Sequence, residues 1–348
     1  MSIKITISHI AKALNTTPAT VSRALNNHPS ISEKTRKSVA EAAKRLNYKR
    51  NFIASSLRLG KTHIIGVIIP SAQINFFGSV VHGIESVANQ KGYNILIYQS
   101  NESRDYEVRA IETFMSACVD GILVSIAKGT MDYAHFTHVQ KAGIPIVFFD
   151  RANTDIGIHS VIINDYKGAY TATEHLIQQG YKRIAHVSGP QHIKIFNDRL
   201  KGYLGALQAN NIKFDSNCIY YGDVSIEAGR EAVKKLLALP EPPDAIFAVE
   251  DFTALGALKE LKEQNIRIPE DFGVIGFANE AFGEHITPTL STIDQQTVEM
   301  GKRSFELLIQ LIDKKANGLK QEPKIPEAIV LEPVPFFRNS SSRHHNIT

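Results

Sequence analysis

Residues 6–27 read TISHIAKALNTTPATVSRALNN, two short helical patterns separated by a tight polar turn. Thr6 is placed to cap a first helix in which Ile7, Ile10, Ala11 and Leu14 recur at i, i+3, i+4 and i+7, the spacing of one buried face. Asn15 and Thr16 interrupt that pattern. Thr17 offers an N-cap oxygen, and Pro18 takes the first helical position, where its missing N–H is no loss and its fixed φ suits the helix. Val21 and Leu25 face inward in the second helix, which leaves Thr17, Ala19, Thr20, Ser22, Arg23 and Asn26 outside. Short polar groups and one arginine on a helix that follows a tight turn suit the major groove of DNA.

The charge is distributed to match. Residues 1–63 hold 12 Lys or Arg against Glu33 and Glu41 alone, a local excess of ten positive charges. The other 285 residues carry 27 basic and 33 acidic groups, so the formal net +4 conceals a basic head on an acidic body. Affinity for DNA is dominated by phosphate neutralisation, which needs such a local excess. A third helix follows, capped by Ser32, with Val39, Ala42, Ala43 and Leu46 inward and Lys34, Lys37, Lys44 and Arg45 outside that set. After Tyr48, the run KRNFIASSLRLGK is compatible with a short helix, too short to be ordered in water unless something packs on it.

TVSRALN, ISEKTRKSV and Tyr48 with NFIASSLRLGKTHIIGVIIP resemble the LacI/GalR family of bacterial transcription regulators, and the resemblance extends over essentially the whole chain. It implies that the second helix enters the major groove, with Thr17, Pro18, Ala19, Thr20, Ser22 and Arg23 in that role, assisted by Thr6 and Asn26. It also implies a pair of hinge helices in the minor groove, where Asn51, Ala54 and Leu57 stand at the hinge positions and Leu57 is the apolar wedge. Arg50 stands where the family usually has proline, which leaves the linker less constrained. His9 stands where an acidic residue often closes the first capping box, so Thr6 is expected to cap without that partner.

At roughly 100–200 residues per domain, a chain of 348 residues has room for the head and a body of two lobes. From His63 on, the apolar runs IIGVIIP, NILIYQS, GILVS, IPIVFFD and VIIN alternate with amphipathic stretches that end near Gly92, Cys118 and Gly143. That alternation is the signature of a parallel α/β sheet. A second series begins with RIAHVSGP at 183 and continues through AIFAVE at 245 and FGVIGF at 272. Ile64 and Ile184 open corresponding strands, and Gly83 and Gly202 fall in corresponding helices. The fold expected is an all-α helix-turn-helix head plus an α/β body of two Rossmann-like lobes. The resemblance makes that body periplasmic-binding-protein-like, with chain crossings near 163, 292 and 320. The boundaries are 1–50 for the head, 51–61 for hinge and linker, and 62–340 for the body, followed by a polar tail at 341–348. The N-lobe takes 62–163 and 293–320, and the C-lobe 164–291 and 321–340.

Ligands of open α/β sheets bind beyond the carboxyl ends of the strands. Those ends carry Asn75, Phe76 and Phe77 after the first strand, Asp150 and Arg151 after IVFF, Glu250 and Asp251 after AIFAV, and Asn279 and Glu280 after GFA, with Arg199 and Gln295 nearby. Carboxylates and a guanidinium pair with vicinal hydroxyls while aromatic faces stack on a sugar's C–H side, so a saccharide pocket is expected. The resemblance places Asp150, Arg199 and Gln295 at effector-contacting positions and Phe76 and Phe77 in the aromatic region of the first loop. Arg199 is expected to serve signalling and not folding. Asp251 reads better as a cap of the following helix than as a ligand contact. Three departures from the family pattern, Glu250 for asparagine or serine, Ala278 for aspartate and Val224 for an aromatic residue, mark a rebuilt pocket.

Catalysis is not expected. LGKT at 59–62 ends like a phosphate-binding loop, but Ser55 stands where the first glycine belongs, and the segment precedes a strand. Cys118 and Cys218 fit no metal spacing and read as small hydrophobes, and most of the 13 histidines, including His344 and His345, read as solvent-exposed. No run of about 18 apolar residues and no signal-peptide pattern occurs, so a cytoplasmic location without membrane contact is expected. The chain thus reads as a homodimeric regulator, a repressor by the family's habit, that binds a palindromic operator under control of a small molecule, with no cofactor or metal. A regulator driven mainly by a protein corepressor is the alternative. The tail NSSSRHHNIT has no apolar heptad, which argues against a tetramerising coiled coil.

Overall fold

A computed structural model describes residues 5–48, 61–317 and 326–343, so the hinge expectations for Asn51, Ala54 and Leu57 lie outside the described residues. The chain divides into two compact units, Met1–Thr62 and His63–Thr348. In the first unit, helices α1 (Ile7–Ala13), α2 (Pro18–Leu25) and α3 (Glu33–Arg45) enclose a core of Ile10, Ala11, Val21, Ala24, Val39 and Ala42. Leu25, expected inside α2, is half-buried, and Ala24 takes the inward position beside Val21. The capping box of α1 is complete after all: His9 Nδ1 accepts from the Thr6 N–H at 3.0 Å, so an imidazole nitrogen does what a carboxylate usually does.

The second unit is built on two parallel sheets. Strands β1 (Ile64–Ile69), β2 (Asn94–Gln99), β3 (Gly121–Val124), β4 (Ile146–Phe149), β5 (His159–Ile163) and β11 (Ala328–Leu331) form one, ordered β11-β5-β4-β3-β1-β2. Strands β6 (Ile184–Ser188), β7 (Ile219–Tyr221), β8 (Ala245–Ala248) and β9 (Gly273–Ile275) form the other, ordered β7-β6-β8-β9. An antiparallel ribbon of β10 (Thr292–Asp294) and β12 (Val334–Phe336) carries the chain between the lobes. Residues 328–331 correct the expected boundaries. They pair with β5 and belong to the N-lobe, so the last crossing falls after Leu331 and not near 320. The alternation in EAIVLEP is too short to reveal a sheet partner 168 residues away.

The halves repeat one packing device. Helix α4 (Asn75–Gln90) lies so close to α11 (Thr297–Ala316) that a Cβ on Gly83 would stand 2.2 Å from Val298 O. In the C-lobe α8 (Lys194–Ala209) meets α7 (Asp165–Gln178) so that a Cβ on Gly202 would stand 2.2 Å from Tyr166 O. The segment expected to be a free polar tail is partly pinned. Ser340 and Ser341 are fully buried, Ser340 Oγ donates to Val274 O, and the Arg343 guanidinium lies 3.7 Å from the Tyr181 ring centroid. Cys218 is buried, while Cys118 is exposed at φ 51° just past the helix Arg104–Ser116, so the small-hydrophobe reading fits Cys218 and not Cys118.

Candidate DNA-reading helix and ligand cleft

In the head, Thr17 Oγ1 accepts from the Thr20 N–H at 3.1 Å, the N-cap that the sequence specified. Thr17, Pro18, Ala19, Arg23 and Asn26 are exposed, and Thr20 and Ser22 are half-buried. Asn26 Nδ2 donates to Ser22 O at 2.8 Å, so its amide is tied to the helix end. Thr6 is exposed at the other helix start. The result is a short helix whose outer surface combines small polar groups with the Arg23 guanidinium.

Between the lobes of the body lies a cavity of about 310 Å³. Phe76, Phe77, Asp150, Arg199, Glu250 and Gln295 all reach its wall, although they come from five separate chain segments. The turn at Asp150 (φ 58°) takes the chain out of β4, and Ser125 Oγ donates to Asp150 Oδ2 at 3.2 Å. Burial pushes the Asp150 carboxyl above the usual carboxylate range, against the pull of Arg151 and Arg199. Phe76 and Phe77 serve both as wall and as N-lobe core.

Arg199 is more deeply committed than the sequence suggests. Only 2% exposed, it donates from Nε to Asp165 Oδ1 (2.8 Å), from Nη1 to Val249 O (2.7 Å) and from Nη2 to Gln295 Oε1 (3.0 Å), over the Phe277 ring at 3.7 Å. Burial lifts the Asp165 carboxyl to about 6 even beside this cation. Arg199 therefore neutralises a buried acid, and the expectation that it is dispensable for folding does not stand.

Three other expectations change. The cap of helix α10 (Asp251–Glu263) is Glu250, whose carboxylate accepts from the Phe252 and Thr253 N–H groups at 3.0 and 2.6 Å. Asp251, fully buried, instead accepts from the Glu280 N–H (2.7 Å) and Thr292 Oγ1 (2.7 Å) and does not line the cavity. Burial lifts its carboxyl to about 7 and raises that of Glu250 as well. Asn279 points away from the cavity wall: its Nδ2 donates to Asp294 Oδ2 and its Oδ1 accepts from Arg338 Nη2, both at 2.9 Å. Asn75 is also absent from the wall, and its Nδ2 donates across the cleft to Glu280 Oε2 at 3.1 Å. Beside Asn279, Ala278 lines the cavity at φ 137°, a conformation costly for any side chain, held by its N–H bond to Ile293 O at 2.9 Å.

The sequence reading missed Lys128, Phe196 and Phe252 in the wall and Asp165 behind it. Lys128 sits in a loop with no hydrophobic period to mark it, and burial beside Arg151 lowers its ammonium below the usual lysine range. It also missed three buried histidines, His135, His175 and His186. His186 lies within β6 and is lowered to about 4 by burial, and its Nδ1–H donates to Phe247 O at 2.9 Å.

Residues 6–51 match the family described as bacterial regulatory proteins, lacI family, and residues 62–337 match periplasmic binding proteins and sugar binding domain of LacI family. The chain belongs to the LacI family; it is a DNA-binding transcription regulator and not an enzyme. It is 33% identical to the probable HTH-type transcriptional repressor ExuR of Bacillus subtilis (strain 168), over 97% of this chain and 98% of that protein. It is also 33% identical to the HTH-type transcriptional repressor CytR of Escherichia coli (strain K12), over 90% and 91% of the two chains. Among solved structures, the lac repressor dimer bound to operator and the anti-inducer ONPF superposes with a TM-score of 0.85 at 25% identity, covering 97% of this chain and 99% of that one. The CelR–cellobiose complex gives 0.71 at 28% identity, with the same coverage. Among the described residues, no helix is long and apolar enough to cross a membrane.

Proposed function

We propose that this chain is a homodimeric repressor in which a saccharide in the inter-lobe cavity controls binding to a palindromic operator. The observation that carries this reading is the cavity wall, which combines Phe76, Phe77, Phe196 and Phe252 with the carboxylates of Asp150, Glu250 and Glu280. Apolar rings stack on the C–H face of a sugar while carboxylates accept from its hydroxyls. The named repressors and the operator-bound dimer among the relatives support the DNA half, as do the outward groups of α2. The cellobiose bound to CelR supports a saccharide. Thr6, Thr17, Pro18, Ala19, Thr20, Ser22, Arg23 and Asn26 are assigned to the operator, and Asp150, Glu250, Phe76 and Phe77 to the ligand directly. Arg199 and Gln295 act on the ligand from a fixed hydrogen-bonded frame, and Asn75 and Glu280 act as a bond that forms when the lobes meet.

A ligand shifts a two-state body only through its different affinity for the two states, and contacts made by both lobes supply that difference. Footprinting of DNA upstream of neighbouring genes, with and without a panel of sugars, tests this directly. Protection of a palindrome that one sugar alters is expected. Protection that no sugar alters would sink the effector half, and absence of protection would sink the whole reading.

A further inference from the structure

A second space shares two wall residues with the cavity just described. This second cavity, of about 290 Å³, adjoins it, with Thr130, Tyr133, Asn153, Asp155, His192 and Lys194 in its wall. Arg151 and Ile195 belong to both walls, so the two spaces meet at these side chains. One hydrogen bond joins the lobes beside both spaces, from His192 Nε2–H to Lys128 O at 2.9 Å, with His192 on the second cavity and Lys128 on the first.

Volume and chemistry both favour one ligand that spans the pair. Sites for small ligands measure roughly 300–1,000 Å³, so each cavity alone sits at the bottom of that range and the two together near its middle. Arg151, 9% exposed, donates from Nη1 to both oxygens of Glu102 at 2.9 and 2.8 Å. Its Nε has no hydrogen-bond partner, and the nearest carboxylate, Asp150 Oδ2, stands off at 3.9 Å. Arg151 is the charged side chain common to both walls, so its guanidinium stands beside any ligand that spans them. The second cavity adds the Tyr133 ring, the Asn153 amide and the Asp155 carboxylate, a ring face with mixed donors and acceptors that matches a second hydroxylated ring.

We propose that the cleft binds a saccharide of at least two linked rings, one in each cavity, with Arg151 facing the linkage. This rests on the reading that the first cavity takes a sugar. The test uses the full chain and a panel of glucose, mannose, xylose and a hexuronic acid, each as monomer, 1,4-linked dimer and trimer, screened by thermal shift and then measured by calorimetry. In one series the dimer is expected to bind at least tenfold tighter than the monomer. Tyr133→Ala, and separately Asn153→Ser, which keeps a side-chain oxygen to accept from the Asp155 N–H as Asn153 Oδ1 does at 2.9 Å, are expected to bring the dimer within threefold of the monomer while monomer affinity stays unchanged. A monomer that binds as tightly as its dimer overturns the inference and leaves the first cavity's role intact. So does a dimer advantage that survives both substitutions in folded variants. Failure of every probe to bind overturns both readings.

Discussion

The residues assigned to the operator on helix α2 and those assigned to the ligand in the cleft relate to the fold in opposite ways. The outward residues of α2 are neighbours in sequence, and Arg23 is exposed and carries no part of the head's core. The cleft groups come from distant strand ends and are buried, and each holds up something else: Arg199 neutralises Asp165, Glu250 caps α10, and Phe77 fills the N-lobe core. Changes on the outer face of α2 should therefore cost little stability, whereas changes at Arg199, Glu250 or Phe77 also disturb a structural contact.

The sharpest way to break that contrast is Arg199→Ala. Removing one partner of a buried pair strands the other, so the body is expected to lose about 3–5 kcal/mol, read as a lower urea midpoint. A variant as stable as the parent would make Arg199 a ligand group only. Asp251→Asn comes next. The Asp251 carboxyl titrates near 7 in the folded chain against an ordinary 3.8, so its stabilisation is complete below about pH 4 and is lost as pH rises through 7. Asparagine has no charge to bury, so between pH 4 and 7 the melting temperature of the variant should gain on the parent's as pH rises. Part of the slope is expected to remain, because Asp165, near 6, acts with the same sign. An unchanged slope would remove Asp251 from the account.

On the exposed side, Arg23→Ala should leave the melting curve in place and cost about 1–3 kcal/mol of discrimination at one position of each operator half-site. Titration against single-base operator variants checks this, and a uniform loss across variants would mean a phosphate contact instead. The smallest structural effect is expected for Glu250→Asn, since asparagine is itself a good N-cap. Stability should change by less than about 1 kcal/mol while the order of preference among bound sugars shifts, as read by calorimetry; an unaltered preference would leave Glu250 a cap and nothing more.

The same contrast explains what the sequence revealed. The head was legible because caps, turn and helix period lie within 40 residues, down to the Thr17–Pro18 start of α2. The repeated strand–helix units were legible through Ile64 and Ile184, which do open β1 and β6. What escaped were choices between neighbours. Glu250 and Asp251 are adjacent carboxylates before one helix, and only the fold shows that the longer side chain reaches back to the backbone while the shorter turns to Thr292. Asn279 looked like a ligand group because its loop is one, but the left-handed turn at φ 54° sends its amide to Asp294 and Arg338. Strand β11 escaped because its partner is remote and its own pattern is four residues long.

One contact between the lobes bears on how such a protein can diversify. The bond that His192 makes across the lobes ends on the main-chain oxygen of residue 128 and not on the lysine side chain. Any amino acid supplies that oxygen. The side chain at 128, which reaches the first cavity, can thus be exchanged without removing the bond that joins the lobes there.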